Sequence, residues 1–281
     1  MSEVKKVVII TGGTSGIGLA CAVCFLENNY RVLITGRNRK KLEEAEKKLN
    51  SLGDFLPEQD FIVFQADVSL EEDCKKTIEK TIKTFGRIDI LINNAGVSMR
   101  ALFRDLELEI FKKIMQINFY GTVYMTKYAL DFLIKTQGTI VGISSTAGKI
   151  GLPARTAYCA SKAAMVGFLS ALACEYQEKL HVLRVYPGFT ASNIRIAALT
   201  ANGTEQGFSP LQEKNIMSAE DVAQAIFKAI QKKKKNLILG LKEKLAIFLQ
   251  FFFPDFIEKQ TYQAMYQEEN SPLLKLEDFF S

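Results

Sequence analysis

Histidine is almost absent from this chain: His181 stands alone among 281 residues. Metal sites built from several imidazoles are therefore excluded, and a serine-histidine-acid hydrolase would rest on one residue that opens a strand-like run, His181 to Tyr186. A structural strand residue is the better reading, and no metal is expected. Cysteine is scarce too. Five cysteines, an odd number without disulfide-like spacing, fit a reducing compartment. Cys21 and Cys24 form a C-x-x-C pair inside a predicted helix and read as buried helix positions. The net charge of +5 is spread thinly apart from Lys232 to Lys235, which leaves a nucleic-acid role with one short basic run, better read as a solvated helix end. Proline-rich and serine-rich linkers and internal repeats are missing, which favours one domain. The strand-like run Val7 to Ile10 begins almost at once, leaving no room for a signal peptide or amino-terminal anchor, so a cytoplasmic protein is expected.

The apolar fraction of 48% is that of a globular protein with a full core. Seven runs read as strands: Val7 to Thr11, Arg31 to Thr35, Phe61 to Ala66, Ile88 to Asn93, Gly138 to Ser144, His181 to Tyr186 and Asn236 to Leu239. Runs such as VVII, RVLIT and TIVGIS are continuous rather than alternating, as expected of strands covered on both faces, and the amphipathic stretches between them imply right-handed parallel crossovers. The pattern predicts an α/β protein, a Rossmann-type doubly wound parallel sheet over residues 1–240 with a C-terminal helical extension over 241–281. Two stretches break the rhythm. Residues 189–217 carry Gly203, Gly207 and Pro210 without strong periodicity, directly after a strand end, and read as a substrate lid. Leu245 to Ile257, LAIFLQFFFPDFI, is strongly apolar but too short to span a bilayer.

Chemistry concentrates at the strand ends. Between the first strand and the first helix lies Thr11-Gly12-Gly13-Thr14-Ser15-Gly16-Ile17-Gly18, a turn whose backbone NH groups and helix amino terminus suit a pyrophosphate. Its G-x-x-x-G-x-G spacing differs from G-x-G-x-x-G and lacks the Gly-Lys-Ser/Thr ending of a P-loop. Asp67-Val68 and Asn93-Asn94-Ala95-Gly96 close the third and fourth strands. Tyr158 and Lys162 stand four residues apart on a predicted helix and so share one face, with Ser145 thirteen residues earlier. A free tyrosine has a pKa near ~10, and an adjacent ammonium would favour its phenolate. At the end of the second strand, Thr35-Gly36-Arg37-Asn38 lacks the carboxylate that would bind a ribose 2′-hydroxyl, whereas Arg37 can offer a guanidinium to a 2′-phosphate and Ser15 can add a hydroxyl. NADP(H) is therefore expected over NAD(H).

These elements, TGGTSGIG, Asp67-Val68, NNAG, Asn118, Ser145, YCASK and Pro187-Gly188, occur in the order of the short-chain dehydrogenase/reductase family, which the chain resembles over residues 7–240 in a hydroxysteroid-dehydrogenase-like form. The resemblance implies that Gly12, Thr14, Ser15, Gly16, Ile17 and Gly18 hold the cofactor diphosphate, that Arg37 and Asn38 flank the adenosine ribose, and that Asp67 and Val68 lie near the adenine. Asn94, Ala95 and Gly96 would sit beside the cofactor, and Pro187 and Gly188 would face the nicotinamide. Thr190 would contact the carboxamide, with Ser192 a rival because the offset is shorter than the commoner one. Tyr158 is implied as general acid and base, Lys162 as the charge that lowers its pKa and binds the nicotinamide ribose, and Ser145 as the group holding the substrate oxygen. Asn118 is implied to fix a water joining Lys162 to solvent. Val97, Met99, Leu152, Tyr186 and residues 189–217 are expected to border an apolar pocket for a lipophilic ketone, aldehyde or secondary alcohol. A homodimer or homotetramer is implied.

Three functional readings stand at this point: an NADP-dependent oxidoreductase, a non-catalytic nucleotide-binding scaffold, and a membrane-surface or interaction protein dominated by the Phe-rich tail. The tail itself has two readings. With Lys232 to Lys235, Lys242 and Lys244 ahead of it, 245–257 could dock on an anionic membrane, or its phenylalanines could pack on the pocket mouth or a second subunit.

Overall fold

A computed structural model describes residues 4–53, 55–190, 193–210 and 216–274. Seven strands, β1 (Val7–Ile10), β2 (Arg31–Gly36), β3 (Phe61–Gln65), β4 (Ile90–Asn93), β5 (Thr139–Ile143), β6 (His181–Tyr186) and β7 (Asn236–Ile238), form one sheet in the order β3-β2-β1-β4-β5-β6-β7. Every pairing is parallel. The continuous apolar runs have a direct cause, since successive side chains alternate between faces and both faces are covered. Val8, Ile10, Val32, Ile34, Ile90, Ile92, Val141 and Val185 point into one core, and Val7, Ile9, Leu33, Ile62, Leu91, Ile140 and Val182 into the other.

Helices α1 (Gly16–Glu27) and α7 (Ala219–Gln231) pack together over the first face, flanked by α2 (Arg39–Asn50). The second face is covered by α3 (Glu71–Phe85), α5 (Gly121–Lys135) and α6 (Thr156–Glu175). The order reverses between β1 and β4, so the carboxyl ends of these strands open the crevice in which such sheets bind ligands. α4 (Leu108–Met115) runs into α5 through a π-turn, Gln116–Tyr120, a local widening often found at functional sites. α6 is long and apolar enough to cross a membrane. Its buried residues, among them Met165, Leu169 and Leu172, instead belong to the core against the sheet.

His181 is a strand residue: Nδ1 lies 3.2 Å from Thr139 Oγ1 and Nε2 2.8 Å from the Lys234 carbonyl, and burial lowers its pKa. Cys21 and Cys24 are buried in α1, where desolvation raises both thiols. After β7 the chain forms α8 (Leu241–Phe252) and α9 (Pro254–Tyr266). Pro254 divides the apolar run, because it fits the first turn of α9 and cannot continue α8.

The last described stretch returns to the crevice. Arg100, buried beyond β4, donates to Glu268 Oε2 at 3.2 Å and to the carbonyls of Asn270 and Glu269 at 2.9 and 3.0 Å. Met265 and Leu273 pack with Leu102 and Ala154 in a small core of their own. The extension is thus strapped to the crevice side of the sheet.

Candidate active site

A cavity of about 1040 Å³ opens at the carboxyl ends of the strands, of the size expected for a cofactor and substrate together. One end is built from the turn after β1. Gly12 and Gly16 take φ of 64° and 52°, a left-handed conformation costly for residues with a Cβ. A Cβ on Gly12 would come within 2.9 Å of Ala95 Cα, and one on Gly18 would collide with the Gly12 carbonyl and Asn94 Nδ2. Asn94 clamps the turn from β4, its Nδ2 donating to the carbonyls of Thr11 and Gly12 at 2.9 and 3.0 Å. The backbone NH groups of Asn94 and Ala95 both donate to Thr11 Oγ1 at 3.0 Å. Ser15 precedes α1 without capping it, which leaves its hydroxyl available.

Gly12, Thr14, Ser15, Gly16, Ile17, Arg37, Asn38, Asp67, Val68, Asn94, Ala95, Gly96, Pro187, Gly188 and Thr190 all line the cavity. Gly18 lies behind the wall, where it lets α1 approach the turn. Asn38 is also the N-cap of α2, accepting from Lys41 N at 3.1 Å, and this brings Lys41 into the lining beside Arg37. Asp67 Oδ1 is taken by Ser69, leaving its second oxygen. Thr35 Oγ1, buried at the same end, has no hydrogen-bond partner. The open glycine turn, the uncapped helix and this orphaned hydroxyl fit a dinucleotide. Thr190 Oγ1 donates to the Gly188 carbonyl at 3.1 Å; Ser192 lies outside the described residues.

At the other end, Ser145 and Tyr158 both line the cavity, and the Ser145 hydroxyl accepts from Ala147 N at 3.2 Å. Burial raises the Tyr158 pKa, opposed by the neighbouring Ser145 hydroxyl and by the charge of Arg155. Lys162, only 3% exposed, donates to the Ile143 carbonyl at 2.8 Å, with its ammonium 5.9 Å from the Tyr158 ring centre. Desolvation pulls this lysine down to about 8. A second cation, Arg155, three residues before Tyr158, also acts on the phenol. Asn118 sits in the π-turn, fully buried and outside the lining. Its Oδ1 accepts from Val97 N at 2.8 Å, and its Nδ2 donates to the Val97 carbonyl and Ser161 Oγ, each at 2.9 Å. Both side-chain groups are engaged by protein, with the second lone pair of Oδ1 left for a water at this place.

The expected pocket wall needs correction. Val97 and Leu152 line the cavity, as do Phe189, Asn193, Ile194 and Arg195 of the stretch that follows β6. Met99 and Tyr186 do not. Met99 packs with Leu106, Ile110 and Ile114 in a separate core, and Tyr186 is buried against the sheet because their strand and loop turn these side chains away from the crevice. The tail resolves into two faces. Ala246, Ile257, Gln260, Thr261, Ala264 and Met265 line the cavity, while Phe248, Phe251, Phe252, Phe253 and Phe256 face outward.

Arg155 and Arg195 escaped the sequence reading. Both are buried and both line the cavity. An arginine three residues before Tyr158 on the same helix was the available signal for the first; nothing local marks the second.

Comparison with known proteins agrees with this geometry. The profile of the short chain dehydrogenase family matches residues 6–203. The mouse protein named dehydrogenase/reductase SDR family member 7B is 36% identical over 253 residues, covering 89% of this chain and 78% of its own. The Arabidopsis thaliana protein named 11-beta-hydroxysteroid dehydrogenase-like 2 is 36% identical over 229 residues, covering 80% and 70%. Among solved structures, a short chain dehydrogenase/reductase from Burkholderia phymatum in complex with NAD superposes with a TM-score of 0.78 at 20% identity, covering 91% of this chain and 96% of that one. An alcohol dehydrogenase from the archaeon Thermococcus sibiricus, complexed with 5-hydroxy-NADP, gives 0.72 at 22% identity, covering 84% and 96%. The chain belongs to the short-chain dehydrogenase/reductase family of oxidoreductases.

Proposed function

We propose that this protein is an NADP(H)-dependent oxidoreductase interconverting a carbonyl and a secondary alcohol on a largely lipophilic substrate. The observation that carries the reading is that Ser145, Tyr158 and Lys162 line the same cavity as the glycine turn. The bound nicotinamide supplies or accepts the hydride. Ser145 holds the substrate oxygen by a hydrogen bond, and Tyr158 gives that oxygen its proton in reduction and takes it back in oxidation. Lys162, its ammonium 5.9 Å from the ring centre of the phenol, would bind the nicotinamide ribose and favours the tyrosine's phenolate. Asn118 acts as a positioning residue through Val97 and Ser161. The pairing of Arg37 with Lys41, without an acid beside them, supports a 2′-phosphate. Val97, Ile150, Leu152, Ile257 and Met265 supply the apolar wall. Tyr158→Phe should abolish carbonyl-dependent oxidation of NADPH while NADPH still binds, measured by nicotinamide absorbance and fluorescence. Substantial retained turnover would sink the assignment, and no turnover by the wild type on a broad carbonyl and alcohol panel would favour a scaffold.

A second reading concerns location. The outward aromatic side chains of α8 and the start of α9, with Phe251 83% exposed, adjoin Lys242 and Lys244 and support peripheral contact with an anionic membrane. Replacing Phe251 and Phe252 by Asp should abolish sedimentation with liposomes containing phosphatidylserine; unchanged sedimentation would remove the membrane reading. The cysteines are all free, which is consistent with the cytoplasm. Association as a homodimer or homotetramer is proposed through the helices bearing Asn118 and Tyr158, on whose outer side Ala163, Gly167 and Ala171 are exposed.

A further inference from the structure

We propose that Arg155 receives an anionic group of the substrate, so that the compound handled beside Tyr158 is an amphiphile: a carbonyl or secondary alcohol with a carboxylate or phosphate near the reacting carbon and an apolar remainder. The inference rests on the oxidoreductase reading and narrows its substrate class.

Arg155 is 9% exposed and lines the cavity. Its side-chain hydrogen bonds all leave from Nη1, which donates to Ser98 Oγ and the Met99 carbonyl, each at 3.0 Å. Both acceptors are neutral, and among the described residues no carboxylate lies within ion-pair distance. Glu268, whose charge acts on Arg155, is held by Arg100 at 3.1 Å. A buried guanidinium stays protonated and is costly to desolvate unless an anion answers it. Here the charge is left facing the cavity, with the NH groups of Nε and Nη2 not committed to protein.

A second buried guanidinium reinforces the field. Arg195, 8% exposed, donates to Ser209 Oγ at 3.3 Å and the Thr190 carbonyl at 3.4 Å, again neutral groups. The carboxylates on the cavity wall do not pair with these charges: Glu268 is held by Arg100, Glu205 is solvent-exposed, Glu243 sits by Gly188 and Gly240, and Asp67 accepts from Ser69 at the end of the cavity built by the glycine turn.

The arginine is also held in place by its backbone. Ala154, immediately before it, is buried with φ 56°, a left-handed conformation rare for alanine and maintained only where surroundings impose it. Its carbonyl accepts from Ala101 N at 3.0 Å, and its methyl packs with Leu102, Met265 and Leu273. Arg155 is the N-cap of α6, three residues before Tyr158, lines the same cavity, and its charge acts on the phenol, which places the anion site near the oxygen that exchanges its proton with Tyr158.

The test uses methyl ketones of one chain length ending in a carboxylate, a phosphate monoester, a methyl ester or a hydroxyl, assayed with NADPH and NADH. The wild-type enzyme should favour an anionic member over its neutral counterpart by about 10- to 100-fold in kcat/KM, the size of one charge-assisted hydrogen bond. The carboxylate and phosphate arms distinguish the two sources of charge. In Arg155→Gln the ratio should fall toward one, and Arg155→Lys should keep part of it. A wild-type ratio near one, or a ratio that survives Arg155→Gln because both series lose equally, would overturn the proposal. Should Arg155→Gln fail to fold, calorimetric binding of octyl phosphate, octanoate and octanol to the cofactor-loaded wild type decides. About ten-fold tighter binding of an anion supports the proposal and equal binding overturns it. Absence of turnover on every ketone is a failure of the oxidoreductase reading instead, and the same binding measurement still judges the anion site.

Discussion

Arg100→Ala should release the carboxyl-terminal strap from the cavity. The guanidinium makes three charge-assisted hydrogen bonds, to Glu268 Oε2 and to the carbonyls of Glu269 and Asn270, and its side chain and that of Glu268 are only 4% and 12% exposed. Removing one partner of such a buried pair costs ~3 to 5 kcal/mol, because the carboxylate left behind keeps its desolvation without its counter-ion. Opening the strap to water avoids that cost. The free energy of local opening therefore falls by up to this amount, while the sheet, whose strands lie elsewhere, keeps its own stability. Amide hydrogen exchange reads the difference directly: protection across the end of α9 and residues 267–274 should drop by about 100-fold or more, with the amides of β1, β4 and β5 unchanged. The cavity wall contributed by Ala264 and Met265 loosens with the strap, so KM for carbonyl substrates should rise more than kcat falls. Arg100→Lys, a point charge without the fork, should recover only part of the protection. Exchange at 267–274 within about three-fold of wild type would refute the argument, since it would mean that packing of Met265 and Leu273 alone holds the strap.

Two further outcomes are expected. Burial holds the Lys162 pKa at about 8 against an ordinary 10.5, so between these values the unfolded lysine keeps a proton that the folded one has lost, and its contribution to stability rises with pH across that window. The charged form costs roughly 3 kcal/mol below pH 8. Cysteines 21, 24 and 74 and Tyr158, all raised, contribute the opposite slope, so the quantity to measure is the difference in unfolding free energy between wild type and Lys162→Met in cofactor-free protein. That difference should shift in favour of the wild type from pH 8 to 10.5, and a flat difference would show that Lys162 is not titrating there. For the cofactor, Arg37→Glu should move the ratio of kcat/KM for NADPH over NADH by about 100-fold toward NADH; a wild type that already prefers NADH would sink the phosphate assignment.

Much of the molecule is legible in one dimension. Strands buried on both faces must be apolar at every position, and helices between them must be amphipathic, so the seven runs and their parallel order follow from local pattern and from the handedness of crossovers. The glycine turn is equally local, because Gly12 and Gly16 need positive φ wherever the rest of the chain lies. The spacing of Tyr158 and Lys162 follows from helix geometry.

Contacts between segments far apart in sequence are a different matter. Whether Met99 and Tyr186 face the cavity depends on which way their backbone presents them: Met99 turns into a separate core and Tyr186 is buried beneath Lys149, and no local pattern identifies either place. The phenylalanine run in the tail has one composition but two faces, and only the corner at Pro254 decides that Ile257 closes the cavity while Phe251 and Phe252 meet solvent. Charge depends most on the tertiary structure. Lys162 carries the same four carbons and ammonium anywhere, yet burial beneath the crevice moves its pKa and turns it to the Ile143 carbonyl. Arg100 and Arg155 look alike in the sequence. Folding gives the first a carboxylate 168 residues away and leaves the second facing the cavity with no carboxylate at ion-pair distance among the described residues, since a Coulomb interaction depends on distance and surroundings, not on position in the chain.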